Sequence, residues 1–305
     1  MDPQELKSRL GGVQTIVATP FHNNYDLHED GLRCVLHFLL DSGISLLTPM
    51  GTGGEFPSLT SSEQRRVVEI AVAETRAKSL AALVVPGFGS ASIREAIDFC
   101  CFARDVGCDG VMLAPPFYYR MGFQQAYQFY KTVNDAVAIG IIFYYYPSMH
   151  PIKLTVPELL QVLRLPNVVG IKETSHDMFE YDRLARLVGE EAVLISGAGE
   201  WLSPYTYLAG FKGFTTSIPN FCPEIPLEIH RAGAAGDIDG VARIVRRIGP
   251  FLDWWWDKGG PELTKVAMNW RGLPAGSLRP PQVPTMTSDR LEELHSLMME
   301  LKILP

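Results

Sequence analysis

The segment Val168-Val169-Gly170-Ile171-Lys172-Glu173-Thr174-Ser175 decides how the chain is read. Three of its first four residues are β-branched, which favours a short buried strand over a helix. The run ends in a lysine followed by acidic and hydroxylic residues. At the end of an apolar strand an ammonium is poorly solvated, and low dielectric disfavours the charged form. Desolvation lowers a lysine pKa from roughly 10.4 and leaves free amine, the species that attacks a carbonyl to form a Schiff base. The alternative is a strand cap on the surface, with Lys172 paired to Glu173.

Working outward, the same kind of segment recurs. Gly12–Pro20, Ile44–Pro49, Ala82–Pro86, Gly110–Leu113, Ala138–Phe143, Val193–Ser196 and Gly213–Thr216 read as short apolar strands. Helical patterns separate them: Asp30–Leu40 with Leu32, Val35, Leu36 and Leu39 on one face, then Ser62 to about Ala77, Ser92–Val106, a helix from Phe123, Val156–Leu163 and Tyr181–Val188. Thr60-Ser61-Ser62-Glu63 has the form of a capping box. Eight strands alternating with helices predict a parallel (β/α)8 TIM barrel, an α/β fold, and no G-x-G-x-x-G follows the first strand as a dinucleotide-binding sheet requires. From about Gly236 the strand signals stop. Residues 1–235 are therefore expected to form a catalytic barrel and 236–305 a C-terminal helical extension packed on it.

Composition narrows the function. With 305 residues, 47% hydrophobic and 20% charged, the chain has ample core for a globular enzyme. A net charge of −7 without any basic run argues against nucleic acid and anionic membrane as partners. Met1–Lys7 carries two acids and no apolar core, so no signal peptide is expected, and no stretch has the length of a membrane span. Five cysteines without a C-x-x-C read as reduced thiols in a cytoplasmic protein. The scattered histidines offer no metal-binding spacing, so neither metal nor cofactor is expected.

In such a fold the site lies at the carboxyl ends of the strands. Gly51-Thr52-Gly53-Gly54-Glu55 follows the second strand, Tyr118 the fourth, Tyr144-Tyr145-Tyr146-Pro147 the fifth and Lys172 ends the sixth. The glycines allow close backbone approach and offer N–H groups to a carboxylate. A tyrosine beside a Schiff-base lysine can shuttle protons. His150 and His176 fall near these loops, where a structural role is the simpler reading. Trp254-Trp255-Trp256 spans most of a helix circumference, so core packing or a subunit contact is expected rather than a ligand box.

Taken together, from about Gly12 to Pro284, the chain resembles the dihydrodipicolinate synthase / N-acetylneuraminate lyase superfamily of pyruvate-dependent class I aldolases and hydro-lyases. The resemblance rests on Gly51–Glu55 for a G-[ST]-x-G-E loop, Tyr144–Pro147 for Y-x-x-P, Gly170-Ile171-Lys172 for G-[IV]-K, and Arg279-Pro280-Pro281. It implies that Lys172 condenses with a 2-oxo acid, that Tyr144 is the acid/base, and that Thr52 and Tyr118 form a hydroxyl relay, the tyrosine reaching in from a neighbouring subunit of a homotetramer. It further implies carboxylate binding by the N–H groups around Gly53 and Gly54, and a bracing role for Glu55.

Thr174, Glu200 in Gly197-Ala198-Gly199-Glu200, and Ser217 match positions where sialic-acid lyase-like members contact a polyol tail, with Gly199 replacing the lyase's aspartate. Glu200 and Ser217 could equally serve as a helix cap or a strand-end hydrogen bond. Gly54–Pro57 resembles the loop of 4-hydroxy-2-oxoglutarate aldolase-like members. Gly53 stands where many members carry a second hydroxylic residue. Met149 stands where the dihydrodipicolinate synthase branch has an arginine clamping its aldehyde's carboxylate, which disfavours that activity. The expected function is a cofactor-free Schiff-base lyase with pyruvate as product or donor. The alternatives are a dehydratase of a 2-oxo-3-deoxy sugar acid, a dihydrodipicolinate synthase-like condensation, or a non-catalytic barrel that senses a 2-oxo acid.

Overall fold

The computed structural model describes residues 1–304, with the side chains of 257 and 258 left aside. Nine strands form one parallel, curled sheet flanked by helices: β1 (Gly12–Val17), β2 (Leu46–Pro49), β3 (Leu83–Val84), β4 (Gly87–Phe88), β5 (Gly110–Leu113), β6 (Gly140–Tyr145), β7 (Val168–Glu173), β8 (Val193–Ser196) and β9 (Gly213–Thr216). Their order is β3-β2-β1-β9-β8-β7-β6-β5-β4. The two strands at the ends of this order are consecutive in the chain, with only Val85 and Pro86 between them. Val85 N–H donates to the Leu47 carbonyl at 2.9 Å, and the Pro86 carbonyl accepts from Met112 N–H at 2.9 Å. Proline, lacking an N–H, ends the expected Ala82–Pro86 strand early, and β4 resumes beyond the predicted end.

Alternation along the strands sorts side chains between two cores. Ile141, Phe143 and Tyr145 of β6 face the helices in the larger cluster. Ile142 and Tyr144 face the other way, into a smaller cluster with Ile16, Leu46, Leu83, Met112, Val169 and Ile195. Leu6 of the N-terminal helix Pro3–Arg9 and Leu10, which caps that helix, close the smaller cluster. A Cβ at residue 140 would lie 2.6 Å from Leu6 Cδ2, so glycine there is what admits the plug.

Strand β6 begins and ends two residues later than its apolar pattern predicts, taking Tyr144 and Tyr145 out of the expected loop. They pair with Lys172 and Glu173. Between Ile141 and Ile142 the register against β7 shifts, Ile141 pairing with Val168 and Ile142 with Gly170. Val169 is the extra residue, and it points inward. Strict alternation from an inward Val169 would turn Glu173 inward; the bulge turns Lys172 inward instead. Three helices escape the sequence pattern: Pro3–Arg9, Ser203–Leu208 and Glu224–Ala234. The first two are too short for periodicity to register, and Pro226 and Gly233 interrupt the third.

The C-terminal helices Ile238–Arg247, Gly249–Lys258, Pro261–Trp270 and Ser288–Glu300 follow the last strand. Their strongest link to the strand-end loops is buried. Lys265 Nζ lies 2.6 Å from Glu55 Oε1, with both side chains almost wholly excluded from solvent. The Arg279 N–H donates to Glu55 Oε2 at 3.0 Å, and Lys265 donates to the Ser277 carbonyl at 2.8 Å. The Arg279 guanidinium pairs with Glu63, the last residue of the Thr60 capping box, at 2.7 Å. Removing one partner of a buried pair leaves the other charge uncompensated. Lys265→Met is therefore expected to lower stability by about 3–5 kcal/mol in urea unfolding, and Lys265→Met with Glu55→Gln to recover part of that loss.

Candidate active site

Lys172 is the last inward-facing residue of β7 and only 6% exposed. Its Nζ sits 4.1 Å from the centroid of the Tyr144 ring, its cross-strand partner on β6. Among the described residues no carboxylate pairs with it. Glu173 points to the opposite face, where Ser175 N–H donates to Oε1 at 3.0 Å, so the surface-pair alternative does not describe this lysine. Burial alone pulls the Lys172 amine down to about 7, so at neutral pH a large fraction is unprotonated. The Tyr144 ring face offers the charged form a close cation–π contact.

Two cavities flank this pair and share Thr52, Tyr144 and Met149 as a common wall. One, of about 280 Å³, contains Lys172 together with Gly53, Thr174, Gly197, Glu200 and Ser217. The other, of about 250 Å³, is apolar, lined by Met50, Phe56, Phe88, Met112 and Phe117, with His150 at its edge. Burial raises the Tyr144 hydroxyl above its ordinary range, and a hydrogen bond with the Thr52 side chain partly offsets this. Tyr144 thus holds its proton until a partner takes it.

Thr52 opens a tight turn, Thr52–Gly54, directly after β2. The Gly54 N–H is spent inside the turn on the Gly51 carbonyl at 2.9 Å, and its own carbonyl accepts from the Thr19 hydroxyl at 2.6 Å. Gly54 therefore shapes the loop from behind and does not line the cavity. Glu55, in left-handed conformation at φ 56°, turns away from the cavity to meet Lys265.

Thr174 Oγ1 and Glu200 Oε1 are buried without a hydrogen-bond partner among the described residues, and both residues line the Lys172 cavity. Burial raises the Glu200 carboxyl to about 7, against the opposing effects of a backbone hydrogen bond and the Thr216 hydroxyl. A Cβ at residue 197 would fall 1.8 Å from Thr174 Oγ1, so Gly197 gives the threonine its place.

Tyr118 is not brought into either cavity: it is 77% exposed, edge-on to Tyr119. Phe117 takes the position facing the apolar chamber.

The residues of the aromatic wall, apart from Trp201, are visible in the sequence, but their convergence on the Lys172 cavity is not. Trp255 and Trp256 both border it, with Trp201, Tyr146 and His176. The His176 and Trp201 rings each lie near Trp256, at 5.2 and 4.9 Å. The expectation of core packing or a subunit contact rather than a ligand box is corrected for Trp255 and Trp256, which line the cavity, although Trp255 also packs on the core. Two successive residues there flank one opening, while Trp254 packs on the core and toward Arg290. His150 also emerges as a site neighbour, 95% buried and edge-on to Tyr144 at 5.1 Å. Burial, with the nearby Lys172 charge, lowers its pKa to about 4, so it is neutral at physiological pH. Adjacency to the Y-x-x-P loop was the available signal for His150; nothing local signals Trp201.

Among the described residues no helix is long and apolar enough to cross a membrane, and no cluster of three potential metal ligands is present. The sequence model of the dihydrodipicolinate synthetase family matches residues 9–301. The 4-hydroxy-tetrahydrodipicolinate synthase of Bradyrhizobium diazoefficiens is 29% identical over 285 residues, covering 93% of this chain and 95% of the relative. That of Phenylobacterium zucineum is 30% identical over 286 residues, covering 94% and 96%. The dihydrodipicolinate synthase structure from Oceanobacillus iheyensis superposes with a TM-score of 0.91 at 26% identity, covering 99% of both chains. A monomeric dihydrodipicolinate synthase variant superposes at 0.89 and 25% identity, covering 97% of this chain and 98% of that one.

The depressed Lys172 pKa links stability to pH. Between about pH 7 and 10.5 the unfolded chain holds a proton on this amine that the folded chain has released, so its contribution to stability rises with pH through that window and is lost as pH falls through 7. Urea unfolding from pH 6.5 to 10.5 is expected to show a steeper rise for the wild type than for Lys172→Met, the difference isolating this group.

Proposed function

We propose that this chain, which belongs to the dihydrodipicolinate synthetase family, is a Schiff-base-forming lyase of the class I aldolase type that takes a 2-oxo acid, with pyruvate as product or donor. The observation that carries this reading is the buried, unpaired Lys172 amine against the Tyr144 ring at a strand end. We read the sheet as a closed (β/α)8 barrel over 1–235, supported by β3 and β4 being two halves of one segment hydrogen-bonded on both sides. Residues 236–305 are its helical extension; Pro305 lies outside the described residues.

The neutral amine attacks the keto carbon, forming the carbon–nitrogen bond. The carbonyl oxygen takes up two protons and leaves as water, giving a protonated imine. That iminium is an electron sink: loss of a proton from the adjacent carbon gives an enamine, which adds to an aldehyde, or arises when the reverse cleavage expels one. Tyr144 exchanges protons with the departing oxygen and the substrate, relayed through Thr52.

The N–H groups of Thr52 and Gly53 face the substrate carboxylate, since Gly54 has committed its own. Thr174, Gly197 and Glu200 contact the rest of the substrate, and Ser217 borders the same cavity beside Gly53. The apolar chamber beside Thr52 and Tyr144 suits an incoming aromatic side chain. Together with the exposed Tyr118 this supports the relay tyrosine entering from a second copy, in a cytoplasmic homotetramer. Met149, at the shared wall, offers no clamp for a second carboxylate, which favours an aldehyde other than that of the named relatives.

Borohydride reduction with pyruvate, read by intact-mass spectrometry, tests the reading. A pyruvyl adduct is expected on the wild type and not on Lys172→Ala; an unmodified wild type with pyruvate and longer 2-oxo acids would leave the chain as a binder. The adduct rate is expected to rise with pH about a midpoint near 7. Tyr144→Phe is expected to slow turnover by about 10²–10⁴-fold.

A further inference from the structure

Residue 53 has no side chain, yet the space a side chain would occupy is filled. A Cβ there would lie 2.6 Å from the Ser217 Oγ and 3.2 Å from Ile16 Cγ2. Ser217 follows β9, a neighbour of β1 in the sheet, and its backbone is pinned. Its carbonyl accepts from Asn220 Nδ2 at 2.7 Å, while the same amide donates to the Ile16 carbonyl at 2.7 Å and accepts from Ala18 N–H at 3.0 Å. Asn220 thus ties the residue after β9 to β1 and holds the Ser217 backbone beside Gly53. That hydroxyl makes no hydrogen bond among the described residues and borders the Lys172 cavity beside Gly53 and Thr52.

We infer that the Ser217 hydroxyl, placed in the space left by Gly53, is a positioning residue for the 2-oxo acid's own carboxylate, donating a hydrogen bond beside the Gly53 N–H. This deepens the Schiff-base reading and rests on it. It gives Ser217 a different role from contact with a substrate tail. The carboxylate is bonded directly to the carbon that Lys172 attacks, so a donor at Gly53 holds the reacting carbon and not the distal part. A charge-assisted hydrogen bond of this kind favours the bound substrate and fixes its orientation toward the amine. It also explains why residue 53 is glycine: a hydroxylic side chain there and the Ser217 hydroxyl compete for one volume.

The test compares wild type, Ser217→Ala, Gly53→Ser and the double variant by the initial rate of borohydride-trapped adduct. Two probes are used: pyruvate, and hydroxyacetone, a ketone without a carboxylate. Ser217→Ala is expected to raise the half-saturating pyruvate concentration about tenfold, with a smaller fall in the limiting rate, while leaving the hydroxyacetone rate nearly unchanged. Gly53→Ser alone is expected to weaken pyruvate binding through collision with Ser217. The double variant is expected to recover most of the loss, its hydroxyl occupying the vacated space. Equal loss with both ketones, or no change in pyruvate half-saturation, would overturn the assignment, and Ser217→Ala decides it alone should Gly53→Ser not fold. An unmodified wild type would instead overturn the Schiff-base reading, and the role of Ser217 with it.

Discussion

An amine kept dry without a counter-charge is the constraint around which the strand ends are arranged. A carboxylate within pairing distance would hold Lys172 protonated and unreactive, while full exposure would do the same through hydration. The chain meets both conditions by backbone means. The extra residue at Val169 turns the lysine inward and sends Glu173 to the helix side, where burial raises that carboxyl to about 8. What remains beside the amine is the face of Tyr144, which tolerates the cation without committing it.

The shared wall of Thr52, Tyr144 and Met149 divides the mouth into two environments of opposite character. On the lysine side, acceptors without partners and hydroxyls at fixed positions favour a ligand rich in hydrogen-bond donors, and the indole and imidazole rings offer it flat apolar surface. On the other side, methionine and phenylalanine leave little for a polar ligand to bind.

The fold was largely legible because its signals are local. Thr60 and Glu63 cap their helix as the spacing demands, and the apolar runs mark the strands to within a few residues. Lys172, Tyr144, Thr52 and Gly53 were legible because each sits at a strand end, and strand ends converge in this architecture. What the pattern missed depends on tertiary placement. The bulge that aims Lys172 is a property of two strands together. The chamber walls at Trp201, Trp255 and Trp256 come from a connecting loop and a C-terminal helix whose positions no local periodicity encodes. Tyr118 was read as a member of the site, but in a single chain its side chain faces solvent. The partner of Glu55 lies 210 residues further on, beyond the reach of any spacing rule.

That last separation has a consequence for how the molecule comes into being. During synthesis Lys172 and Tyr144 emerge well before Lys265 and Arg279, which brace Glu55 at the end of the loop carrying Thr52 and Gly53. Until those residues arrive, Glu55 lacks both the ammonium and the backbone N–H that hold it in the folded chain. A chain that stops short of residue 265 therefore leaves the Glu55 carboxylate without its counter-charge, and the cost of burying it falls on the loop beside Thr52 and Gly53.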